Sequence, residues 1–189
     1  MKQIIKKYFP INLLGFVAVI WLVFIVNFIV PFFDFNDLGI KPRTVSGLLG
    51  VFASVFLHGG LGHILANTFG LLICGGILRL SYSKSQLLII IILGTLVSGL
   101  LTWLISSPAI VIGASGLVFC FISMLLANAF FKPSILTWAQ ALLCLFFYSG
   151  ALLSLLVVQQ GISWAGHFSG VVAGVLLSLL FNKYPKLFK

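Results

Sequence analysis

Along most of the chain polar side chains are the exception, and they fall in short clusters between long apolar runs. A membrane-crossing helix needs about 20 residues. The runs and their breaks predict six such helices, at 11–31, 61–79, 86–106, 114–131, 135–157 and 163–182. Between the first two, the segment 32–60 holds Asp34, Asp37, Pro42 and several glycines. Its short apolar piece, 48–57, cannot cross a bilayer and is expected to lie in the interface or to fold back into the protein. No internal repeat or low-complexity stretch stands out, so the expected architecture is one all-α, polytopic membrane domain over residues 1–189.

Composition leads to the same class. The 189 residues are 61% hydrophobic and 7% charged, with a mean hydropathy of +1.26. A soluble domain carries about 25% charged residues, so a water-facing surface cannot be built here. Asp34 and Asp37 are the whole acidic complement, and glutamate is absent, which excludes most carboxylate chemistry. Cys74, Cys120 and Cys144 lie inside apolar runs, where they read as small core residues rather than a disulfide framework.

The net charge of +9 does not require a nucleic-acid partner, because basic residues collect in the cytoplasmic loops of membrane proteins. With the N-terminus inside, the cytoplasmic segments hold Lys2, Lys6, Lys7, Arg79, Lys84, Lys132, Lys183, Lys186 and Lys189, against Lys41 and Arg43 outside. Both termini are therefore expected in the cytoplasm. Lys2, Lys6 and Lys7 look like the basic region of a signal peptide, but the apolar stretch behind them is too long and no small-x-small site follows. It is expected to be a retained first span. Trp21, Trp103, Trp138 and Trp164 fall mostly near span ends and read as interface anchors.

Polar side chains inside spans are costly and mark candidate sites. The second, fourth and sixth spans run in the same direction, outside to inside. His63 and Asn67 open the second, Ser115 the fourth and His167 the sixth, each within about two turns of the outer end. Three helices apart in sequence thus carry polar groups at one depth. His63 and Asn67, four apart, share a helix face. Ser115 sits in the small-residue run Gly113-Ala114-Ser115-Gly116, which permits close helix approach. Gly170 and Gly174 follow His167 at i+3 and i+7, so its face can pack tightly against a neighbour.

Serine becomes a nucleophile when a base takes its proton, and histidine is the usual base. Neither aspartate lies in a span to orient that histidine, so serine chemistry here must use a dyad, with the imidazole oriented by packing. Asn67, His63 and the Ser115 backbone N–H are the candidate donors to an oxyanion. Zinc proteolysis of the HExxH type needs a glutamate, and aspartyl intramembrane proteolysis needs two aspartates in spans; neither requirement is met.

These motifs resemble the rhomboid family of intramembrane serine proteases: His58-x4-His63-x3-Asn67 on the second helix, Gly113-Ala114-Ser115-Gly116 opening the fourth, and Ala165-Gly166-His167-x2-Gly170-x3-Gly174 on the sixth. The resemblance implies Ser115 as nucleophile, His167 as general base, and His63 and Asn67 in the oxyanion hole. It implies transmembrane segments of other proteins as substrates, entering past the fifth helix, and no cofactor. Three departures are visible. The Trp-Arg pair of the family's outer loop is absent between 32 and 57, Phe119 stands where a tyrosine is common, and Leu78 stands where a glutamate often precedes the arginine, here Arg79.

Blander roles compete. Ser115 in a small-residue cluster can be a packing residue, Asn67 interhelical glue, and His167 a structural histidine. His58, five residues from His63, does not share its face and reads as a loop brace. A metal site from His58, His63 and His167 lacks a cysteine or carboxylate to complete it. Two other function classes stay open: a catalytically silent rhomboid-like protein that binds transmembrane clients, and a small-solute transporter, for which inverted repeats and a midplane site would be expected. If His167 is the base, activity should fall as pH drops through its ordinary pKa near 6.5. By analogy alone, the minimal six-span form points to a prokaryotic plasma membrane. Oligomeric state is not set by anything in the sequence.

Overall fold

The structure, a computed structural model, describes residues 10–30, 32–155 and 161–188. Lys2, Lys6, Lys7, Pro31, the ends of the predicted spans at 31 and 157, and Lys189 lie outside the described residues. Seven α-helices are present among the described residues: α1 (Ile11–Ile29), α2 (Leu48–Ala53), α3 (Leu61–Leu78), α4 (Lys84–Ile105), α5 (Ser115–Phe131), α6 (Ile135–Leu153) and α7 (Trp164–Lys183). Short 3-10 turns at Phe35–Leu38, Ser54–Phe56 and Pro185–Phe188 complete the regular structure. Five helices, α1, α3, α4, α6 and α7, are long and apolar enough to cross a membrane. The sixth apolar helix, α5, has 17 residues.

Local chemistry accounts for several boundaries. α4 starts at Lys84, earlier than the apolar pattern implies, because Ser83 caps it. The Ser83 hydroxyl accepts from the Gln86 N–H at 3.2 Å, and the Gln86 side chain accepts from the Ser83 N–H at 2.8 Å. Ser134 and Thr137 make the same reciprocal pair ahead of α6. α6 ends at Leu153, short of the predicted 157, with Ser154 as its C-cap. The short apolar piece 48–57 folds back into the protein: Gly50, Val51, Ser54, Val55 and Leu57 are buried, and Val51 lies against Gly99 of α4.

α5 forms the centre, with every residue from Leu117 to Leu125 buried. α7 lies directly along it. A methyl group at Gly170 would collide with the Gly116 carbonyl, and one at Gly174 with the Cys120 carbonyl and Ser123 hydroxyl. The two backbones therefore touch, the close approach that small residues permit in lipid. Far from Ser115, Asn128 on α5 gathers three donors on its Oδ1: Tyr82 OH at 3.0 Å, Ser178 Oγ at 2.8 Å and Asn182 Nδ2 at 3.3 Å. Large apolar side chains point outward on α1 and α6, among them Phe28, Ile135 and Phe146. Lipid accepts such a surface and water does not.

Three of the four tryptophans make hydrogen bonds within the protein. Trp21 donates to Thr68, Trp103 to the Thr44 carbonyl and Trp164 to the Leu155 carbonyl.

Candidate active site

Ser115 is the first residue of α5, and the residues ahead of it set where its hydroxyl lies. An antiparallel bridge pairs Ile40 with Val111, each N–H to the other's carbonyl at 2.9 Å. Two residues on, the Gly113 N–H donates to the Ser54 carbonyl at 2.8 Å. Gly113 has φ +111°, where a side chain is strained. A methyl there would also come within 2.5 Å of His63 Nε2 and 3.3 Å of Asn67 Nδ2. The backbone leading to Ser115 thus rests on His63 and Asn67 of α3.

Asn67 is buried, and its Nδ2 lies 2.9 Å from His58 Nε2. Burial, and after it the neighbouring His63, pushes the pKa of His58 down to about 4. His58 is therefore neutral near pH 7 and accepts one Asn67 N–H. The same amide nitrogen faces Gly113, so its second hydrogen is left for that side. The His58 ring also stands against His63, centroids 4.9 Å apart and planes at 62°. His58 is thus a neighbour of both His63 and Asn67, not a brace of the loop alone. The Gly59-Gly60 pair after it was the signal that the chain could turn it back.

On α7, His167 is buried and its ring stacks on Phe119, centroids 4.1 Å apart and planes at 19°. Its Nδ1 lies 2.8 Å from the hydroxyl of Ser154. Ser154 was not a candidate from sequence, where it is one hydroxyl in an apolar run with no helical period linking it to His167. Gly116, next to Ser115, faces the carbonyl of Gly166, next to His167. Among the described residues no hydrogen bond joins Ser115 to His167. In proteins without bound substrate such contacts are often long and tighten on binding. A cavity of about 30 Å³ beside Ser115 is lined by Ser54, Thr95, Ser98 and Thr102, polar and roomy enough for one water molecule. Among the described residues, no group of three histidine, cysteine or acidic side chains is arranged to hold a metal.

The 32–47 loop is held by residues that the sequence alone does not pair. The Arg43 guanidinium donates to the carbonyls of Leu104 and Ser106, and the Arg43 backbone N–H donates to the carbonyl of Trp103, whose indole N–H donates in turn to the Thr44 carbonyl. Arginine and tryptophan anchor this loop although they stand 60 residues apart rather than side by side (103 minus 43).

The rhomboid domain model matches residues 46–184, the span that holds His58, His63, Asn67, Ser115 and His167. The chain belongs to the rhomboid family. This rhomboid is 35% identical to an uncharacterised protein of Mycobacterium tuberculosis over 181 residues, covering 90% of this chain and 74% of the relative. An uncharacterised protein of Mycobacterium bovis matches equally well. One from Mycobacterium leprae is 29% identical over 182 residues, covering 91% of this chain and 71% of that one. Rhomboids are in general intramembrane serine proteases, and this one is an integral membrane protein.

Proposed function

We propose that this rhomboid is an active serine endopeptidase that cuts peptide bonds in or near transmembrane segments of other membrane proteins. The observation that carries the reading is the seating of the Ser115 backbone between two helices. On one side lie His63 and Asn67 of α3, and on the other α7 at Gly166 and Gly170, beside His167.

Ser115 Oγ attacks the scissile carbonyl while its proton passes to His167. The tetrahedral oxyanion takes hydrogen bonds from the Ser115 N–H, at a helix N-terminus, and from Asn67 and His63. His167 returns the proton to the leaving amine as the C–N bond breaks, leaving an acyl-enzyme. A water then attacks the ester, giving its proton to His167, which returns it to Ser115 Oγ as the acyl C–O bond breaks and the acid product leaves; the polar cavity beside Ser115 is where such a water fits. No cofactor enters. The chain crosses the membrane six times, α5 included, with both termini in the cytoplasm of a prokaryotic cell. The site then lies near the outer membrane surface, and client helices reach it past α6.

A second reading, a silent rhomboid that binds transmembrane clients, draws on the missing hydrogen bond between Ser115 and His167. A fluorophosphonate probe on the detergent-purified protein separates the two. Labelling of wild type that disappears in Ser115→Ala and His167→Ala is expected. No labelling of folded wild type would transfer the case to client binding.

A further inference from the structure

We propose that Ser154, which ends α6, is a positioning residue of this site: its hydroxyl holds the His167 imidazole with the proton on Nδ1 and the lone pair on Nε2. The consequence for catalysis rests on the protease reading above; the tautomer itself rests on geometry.

Ser154 is 8% exposed. Its Oγ lies 2.7 Å from the Ala151 carbonyl and 2.8 Å from His167 Nδ1. A hydroxyl carries one proton, and a carbonyl oxygen can only accept. The contact with Ala151 therefore uses the Ser154 proton, the back-bond that serine makes at helix ends. What faces Nδ1 is then a lone pair, and that contact is a hydrogen bond only when Nδ1 carries the hydrogen. The reverse assignment, with Ser154 donating to Nδ1, makes one bond instead of two and leaves two oxygens 2.7 Å apart with no proton between them. The groups facing the ring from other helices are uncharged Phe119 on α5, uncharged Ser154 on α6 and, on α3, the titratable His63.

Fixing hydrogen on Nδ1 leaves Nε2 as the acceptor for the Ser115 proton. The resulting imidazolium keeps its Nδ1–H on Ser154 until Nε2 passes its proton to the leaving amine. A buried carboxylate does this orienting work in a Ser-His-Asp triad. This chain has no glutamate, and both its aspartates stand outside the α-helices at 34 and 37, so a neutral hydroxyl takes the part.

Imidazole ¹⁵N chemical shifts of the detergent-solubilised wild type, with His167 assigned by difference from His167→Ala, should show a protonated Nδ1 and a bare Nε2 above the titration. In Ser154→Ala the two tautomers should mix. The maximal rate of fluorophosphonate labelling should then fall about tenfold or more, with the half-saturating probe concentration unchanged. Ser154→Thr, which keeps the hydroxyl, should restore most of that rate. Ser154→Asp should move the low-pH limb of the labelling profile upward, because a carboxylate stabilises the imidazolium. A wild type protonated on Nε2 overturns the proposal, and the ¹⁵N reading needs no Ser154 variant to fold. If wild type and Ser154→Ala label equally fast, Ser154 loses its role and the protease reading stands. If wild type never labels while Nδ1 is protonated, the protease reading falls and the tautomer assignment stands.

Discussion

Phe119 covers one whole face of the His167 imidazole, ring on ring at 4.1 Å. Its place on α5, four residues after Ser115, ties the orientation of the imidazole to the same helix that carries the hydroxyl. Replacing it with leucine keeps apolar bulk but removes the stack, worth about 1 kcal/mol. Phe119→Leu should therefore slow fluorophosphonate labelling roughly fivefold while the melting temperature in detergent changes little. An unchanged labelling rate would mean that the stack does not position the ring.

Gly170 has no room for a side chain, whereas Gly76 on α3 has nothing within 4 Å of where one would be. Gly170→Ala should destabilise by about 2 kcal/mol or more, since it meets backbone that cannot rotate away, and should slow labelling by separating α7 from α5. Gly76→Ala should stabilise by up to about 1 kcal/mol. Thermal unfolding of both in the same detergent checks the contrast, and similar shifts for the two would count against direct backbone contact.

The histidine beside Asn67 gives stability a pH dependence. His58 titrates near 4 in the folded protein against its ordinary 6.5. Between those values the unfolded chain binds a proton that the folded one refuses, so the contribution is complete above 6.5 and declines as pH falls towards 4. Melting temperature should drop across that window in wild type and drop less steeply in His58→Gln. Parallel curves would remove His58 as the cause.

Arg43 stands at φ +56° and holds three carbonyls of the 103–106 segment. Arg43→Ala should cost about 1 kcal/mol of stability and expose the 32–47 segment to protease in detergent. Arg43→Gly should be milder by about 1 kcal/mol, because glycine accepts that backbone without strain. Equal protection in all three proteins would show that the loop is held elsewhere.

What could be read from sequence was what a single helix repeats. The helix positions followed from apolar runs, and the shared face of His167, Gly170 and Gly174 followed from 3.6-residue arithmetic. Contacts that close through a turn left no such trace. His58 reaches Asn67 across a glycine turn, and Ser154 reaches His167 from another helix, 13 residues back. Trp103 meets Arg43 only because α4 returns under the loop. Each is a plain residue until the chain brings it round, so no period or spacing announces it. Helix ends also moved where capping decided them, as Ser83 did for α4.

α6 has little protein around it, with 22% of its apolar stretch buried against 56% for α7. Like α1, where 17% is buried, it is an outer helix of the bundle, whereas α5 and α7 form the buried frame. Yet the hydroxyl that holds His167 rides on its end, at 2.8 Å. Any swing of that end which stretches the contact beyond about 3.2 Å lets go of the imidazole. On the protease reading proposed above, opening that flank to a client helix and readiness for proton transfer exclude one another, an interlock that keeps His167 idle until the flank has closed.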